Sequence, residues 1–99
     1  MMESGMENGA LPADARPRLA RGVRLTNSAA HGGPVLLAPE RILKLDPVAA
    51  DILGRCDGSA TMTELVDALA SHYQAPRERI AGDVATLLRA LADKHLVDL

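Results

Sequence analysis

A chain of 99 residues with 47 % hydrophobic residues holds one small domain and little else. It has no Phe or Trp and a single Tyr, so it offers no aromatic platform on which bases or sugars could stack. The formal charge of −2 gives no general pull toward nucleic acid or an anionic membrane, and the lone cysteine excludes an internal disulfide.

Residues 1–15, MMESGMENGALPADA, lack apolar periodicity and a signal-peptide apolar region. They read as a disordered tail or the remnant of a linker, and residues 16–99 as the domain. No run approaches 18 apolar residues, so no membrane is expected, and a reducing cytoplasmic setting fits the single thiol. From Ala15 to Pro39 there are four arginines (Arg16, Arg18, Arg21, Arg24) and no acid, which predicts a small basic stripe at one end of the domain.

RPRLARGVRL reads as a first strand, broken or bulged near Gly22, and TNSAAHGGP (26–34) as a loop. VLLA and RILKL are the second and third strands, joined at Pro39-Glu40. Asp46 then caps a helix with Pro47 at its first position, running to about Arg55 and burying Val48, Ile52 and Leu53. Cys56-Asp57-Gly58 ends it, with Gly58 as the left-handed residue.

Thr61-x-x-Glu64 is a capping box, and behind it Leu65, Val66, Leu69 and Tyr73 form the apolar stripe of a second helix. Pro76 opens a third, with Ile80, Val84, Leu87, Leu88 and Leu91 on one face, and HLVDL closes the chain as an extended segment packed back on the core. Three short N-terminal strands followed by three helices make an α+β fold of winged helix-turn-helix-like topology.

Catalysis finds no support in this pattern. His31, His72 and His95 stand at no metal-ligand spacing with Cys56 or with one another, and no Gly-rich phosphate loop is present. Cys56, between an apolar helix and a turn, reads as a buried inert thiol. A winged-helix DNA-binding regulator is the alternative that the topology invites, but the second helix has no Lys or Arg and the third carries mixed charge.

The remaining reading is peptide binding. An edge strand beside an apolar helix accepts an extended peptide through main-chain hydrogen bonds, unless Lys44 merely guards that edge. Proline at Leu43 tests this, provided that its N–H points outward.

RPRLARGVRL, VLLAPER, ILGRCDG with TEL after it, and DVATLLRAL occur in an order and spacing that resemble the PqqD family of pyrroloquinoline quinone biosynthesis, over residues 16–97. The resemblance implies a non-catalytic adaptor without cofactor or metal. Such a protein binds the ribosomal precursor peptide and presents it to a radical S-adenosylmethionine enzyme. It implies a peptide backbone beside Arg41, Ile42, Leu43 and Lys44, with side chains meeting Arg77, Ile80, Ala81, Val84 and Leu88. Periodicity alone does not separate groove from core on that helix.

Arg18, Arg21 and Arg24 are candidates for the enzyme contact or for steering an acidic peptide. Asp46-Pro47 departs from the polar-Glu or polar-Thr pair usual in the family, and His95 stands where Gly is common.

Overall fold

The computed structural model describes residues 11–99. In chain order it places β1 (Arg18–Leu19), β2 (Arg24–Ser28), a 3-10 turn (Ala29–His31), β3 (Gly33–Ala38), β4 (Arg41–Lys44), α1 (Pro47–Gly54), α2 (Met62–Tyr73), α3 (Arg77–Asp93) and β5 (Val97–Asp98). β2, β3 and β4 form an antiparallel sheet in that order, while β1 pairs antiparallel with β5 through Arg18–Asp98 and Leu19–Val97.

The expected first strand is therefore two. A turn closed by Val23 N–H on the Ala20 carbonyl separates them, with Gly22 at φ 82°. β1 leaves the main sheet to hold the C-terminal residues, and the polar stretch Thr26–Ser28, expected in a loop, extends β2 instead. Opposite it, Val35, Pro34 and Gly33 complete the ladder, and pairing overrides the weak local strand propensity of Asn and Ser.

The helix boundaries follow local chemistry. Asp46 Oδ1 accepts the Ala49 N–H at 2.7 Å, and Pro47 begins α1. Thr61 and Glu64 exchange both bonds of the capping box. Gly58, at φ 83°, takes the left-handed conformation, and a Cβ there would lie 3.3 Å from Arg18 Cδ. Lys94 ends α3, and His95 follows at φ 61°. The His95 N–H reaches the Ala92 carbonyl and the Leu96 N–H reaches that of Leu91, the double closure of a Schellman end.

The core is aliphatic. Leu36 from the sheet, Leu53 from α1, Leu65 and Leu69 from α2, and Val84 and Leu88 from α3 are all at most 2 % exposed, joined by Leu96 and Val97 from the closing segment. No buried residue is polar or charged among the described residues. Two expected core residues are not there: Val48 is 49 % and Tyr73 38 % exposed. Val48 lies in the first turn of α1, ahead of the buried Ile52–Leu53 pair, and Tyr73 turns its hydroxyl to Asp51 on α1.

Part of the segment expected as a tail is ordered against the domain. Leu11 and Ala15 pack on the core, Ala13 and Ala15 accept backbone bonds from Thr63 and Met62, and residues 1–10 lie outside the described residues. The fold is α+β, and since the main sheet wholly precedes the helices, the winged-helix label is a loose analogy.

Candidate functional site

The sheet has two edges, and the fold treats them differently. β2 packs its Leu25 side chain toward α1, close to Gly54. The other edge, β4, lies beside the C-terminal end of α3, where Arg41 Nη2 donates to the Lys94 carbonyl at 3.2 Å.

One bond fixes which backbone groups of β4 face outward. Leu45 donates its N–H to the Pro34 carbonyl at 3.0 Å, so residue 45 points into the sheet. Alternation in an antiparallel ladder then turns Arg41 and Leu43 inward, toward Ala38 and Leu36. The N–H and C=O groups of Ile42 and Lys44 face away from the sheet, with no strand partner among the described residues.

Side chains alternate too. Leu43 packs on the core and Arg41 shares its α3-facing side. Ile42, 48 % exposed, and Lys44 lie on the outer face. Proline at Leu43 is thus the wrong test, because the N–H it removes belongs to the sheet.

α3 has two flanks beside its buried face. Ala81 and Ala85 turn toward α2 and, with Met62, Val66, Arg77 and Leu11, line a groove of about 340 Å³. Arg77 also pairs with Asp67 on α2. Leu87 lies about 120° round the helix from Ala81 and shares its flank with Ile80, seven residues earlier.

The structure thus brings Arg41 to the C-terminal end of α3 and leaves Arg77 and Ala81 on the α2 side. Val84 and Leu88, at 1 % and 0 % exposure, are spent in the core and have no surface to offer a peptide. Leu87, half-buried and missing from the expected set, lies at the border of that buried stripe. Its sequence signal is the seven-residue spacing to Ile80 and Lys94, which marks the border of the stripe rather than its centre.

The basic stripe divides as well. Arg16 donates to the Ser59 carbonyl, and Arg18 lies 4.0 Å from Asp98 across the β1–β5 pair. Arg21 and Arg24 are exposed near the β3–β4 turn, and Arg24 with Gly22, Leu37, Pro39 and Ile42 borders an open depression of about 680 Å³ on the outer sheet face.

The reactive side chains are placed as structural residues. Cys56 Sγ donates to the Ile52 carbonyl at 3.2 Å, and burial, with Asp57 adding to it, pushes the thiol up to about 11. His31 shares a 2.9 Å hydrogen bond with the Ser28 hydroxyl. Among the described residues no three His, Cys, Asp or Glu side chains converge in a way that could hold a metal ion, and no helix is long and apolar enough to cross a membrane.

Residues 33–97 match the family model described as coenzyme PQQ synthesis protein D (PqqD). A "PqqA binding protein" of Rhodopseudomonas palustris (strain TIE-1) is 44 % identical over 80 residues, which are 81 % of this chain and 78 % of the relative. Among solved structures, the NMR structure of the PqqD truncation of Methylobacterium extorquens PqqCD superposes with a TM-score of 0.78 at 36 % identity. The match covers 95 % of this chain and all of that one, which is described as a functional and stand-alone RiPP recognition element. A lasso peptide synthetase B1, solved in complex with a leader peptide, shares the fold at a TM-score of 0.73 and 23 % identity, over 86 % of this chain and all of that one.

Proposed function

This chain belongs to the PqqD family, and from that membership we propose that it is a non-catalytic peptide chaperone of pyrroloquinoline quinone biosynthesis. It binds the ribosomal precursor peptide by strand addition to β4 and presents it, in the cytoplasm, to the radical S-adenosylmethionine enzyme of the pathway. The observation that carries this reading is the β4 edge. Its outward-facing backbone groups at Ile42 and Lys44 meet no strand among the described residues, and Arg41 reaches from that edge to the C-terminal end of α3.

An incoming strand satisfies those groups and buries apolar side chains against Leu43 and the helix, which supplies affinity through the backbone and selectivity through pockets. Arg18, Arg21 and Arg24 are the proposed contact for the enzyme; Arg21 and Arg24 are exposed near the β3–β4 turn, and Arg18 also lies 4.0 Å from Asp98. The DNA-binding alternative gains nothing here, since α2 has no Lys or Arg and α3 alternates acids with bases.

The test is an amide NMR titration of the full chain with the precursor peptide, repeated with a scrambled peptide. Selective shifts at residues 41–44 and along 80–94 are expected. Shifts confined to β2, or none at high peptide concentration, would overturn strand addition at β4.

A further inference from the structure

Arg41 occupies an unusual position on the edge strand. Its backbone belongs to the sheet, yet its side chain crosses to the C-terminus of α3, where one guanidinium N–H is used on the Lys94 carbonyl at 3.2 Å. A guanidinium carries five N–H donors, so most of its capacity is left over. No ion pair engages it among the described residues. The charged neighbours nearest in sequence to this contact are mixed: Glu40 in the preceding turn, Lys44 on the same strand, and Lys94 at the helix end. Asp93 precedes Lys94 but lies about 100° further round the helix.

Strand pairing decides what such a group would meet. Arg41 and Leu43 point their amides into the sheet, so a strand that adds antiparallel, as both existing pairs of this sheet run, sets a residue opposite each across a non-hydrogen-bonded pair, the closer of the two kinds. Side chains in such a pair lie on the same face, with Cβ atoms about 4.5–5.5 Å apart. The residue opposite Leu43 is therefore turned toward α3 and the apolar core. The residue opposite Arg41, two positions later in the incoming chain, is turned toward the guanidinium.

We propose that Arg41 is a specificity-determining residue that reads a carboxylate side chain on the bound peptide, so that the recognised segment has the pattern apolar–x–acidic, with the acid opposite Arg41 and the apolar residue opposite Leu43. The bond to Lys94 holds the guanidinium in place before the peptide arrives, which lowers the ordering cost of the ion pair. This rests on strand addition at β4.

The test uses the full chain and the precursor peptide, with affinity measured by calorimetry. Arg41→Glu is expected to weaken binding roughly tenfold, because an attraction becomes a repulsion across a close cross-strand pair. Each acidic residue of the peptide is then changed singly to Lys. One such peptide, with an apolar residue two positions before the change, is expected to bind Arg41→Glu at least as well as the original peptide does and to bind the wild-type chain worse.

If Arg41→Glu does not fold, Arg41→Gln takes its place, and the same charge-reversed peptide is expected to lose affinity for the wild-type chain but not for Arg41→Gln. Normal binding by a folded Arg41→Glu, or loss that no charge reversal restores, overturns the role of Arg41 and leaves strand addition standing. Failure of the wild-type chain to bind the precursor at all overturns both.

Discussion

The Tyr73 hydroxyl donates to Asp51 Oδ2 at 2.7 Å, tying the last residue of α2 to the middle of α1. Arg55 completes the group from the other side, with Nε 2.9 Å from Asp51 Oδ1. The Tyr73 hydrogen bond, against the opposing effect of burial and with help from Arg55, holds the Asp51 carboxyl below its ordinary 3.8, and the same bond raises Tyr73 above its ordinary 10.0.

Both signs give a stability that depends on pH. A depressed carboxyl stabilises the fold above its unfolded pKa, and that contribution is lost as pH falls through the lower folded value. A raised phenol stabilises below its unfolded pKa, and the contribution is lost as pH rises through the higher folded value. Asp51→Asn is expected to lower Tm at neutral pH and to flatten the acid limb of a Tm-against-pH curve below about pH 4. Tyr73→Phe should lower Tm near neutral pH and remove its share of the loss above pH 10. Thermal melts monitored by circular dichroism across this range check both.

Proline scanning of β4 separates the edge from the sheet. Ile42→Pro removes an outward N–H, so folding should survive while peptide affinity falls by about tenfold or more. Leu43→Pro breaks the ladder to Leu36 and should cost about 3 kcal/mol of stability or more, on the scale of proline within regular structure. Equal peptide affinity for a folded Ile42→Pro would place the peptide elsewhere.

The two neighbouring leucines of α3 should behave oppositely. Leu88, fully buried, is expected to cost about 2–5 kcal/mol when changed to Ala, by lost burial and the cavity left behind. Leu87 is half-buried at the border of the same stripe. Its change to Ala should cost less in a urea titration and weaken peptide binding measurably in calorimetry.

His95 holds a left-handed conformation at the position that follows the α3 cap, where a residue with a Cβ is strained. His95→Gly relieves that strain and is expected to stabilise the fold by about 1 kcal/mol, read as a higher urea midpoint with an unchanged slope.

Arg21→Gln with Arg24→Gln should leave peptide binding unchanged and weaken association with the modifying enzyme, with a smaller dependence on salt. Unchanged association at every salt concentration would remove these arginines from the interface.

What the sequence by itself determined is local. The Asp46 cap with Pro47, the Thr61–Glu64 capping box, Gly58 and the Ile80–Leu91 stripe each place a helix boundary or face through interactions spanning a few residues, and every one of them is legible in the chain. The two strands around Pro39-Glu40 are legible for the same reason, since a two-residue turn sets their register.

Tertiary structure decided the rest. Nothing near Arg18 and Leu19 tells them to pair with Val97 and Asp98 nearly 80 residues later, nor Tyr73 to leave an apolar stripe for Asp51. The candidate site was half legible in the same way. Arg41–Lys44 follow from the hairpin, but helical periodicity gives only the axis of an apolar stripe. Which border of that stripe is covered by α2 and which faces β4 depends on how three helices stack. That stacking assigns Val84 and Leu88 to the core, Ala81 to the α2 groove and Leu87 to the open flank.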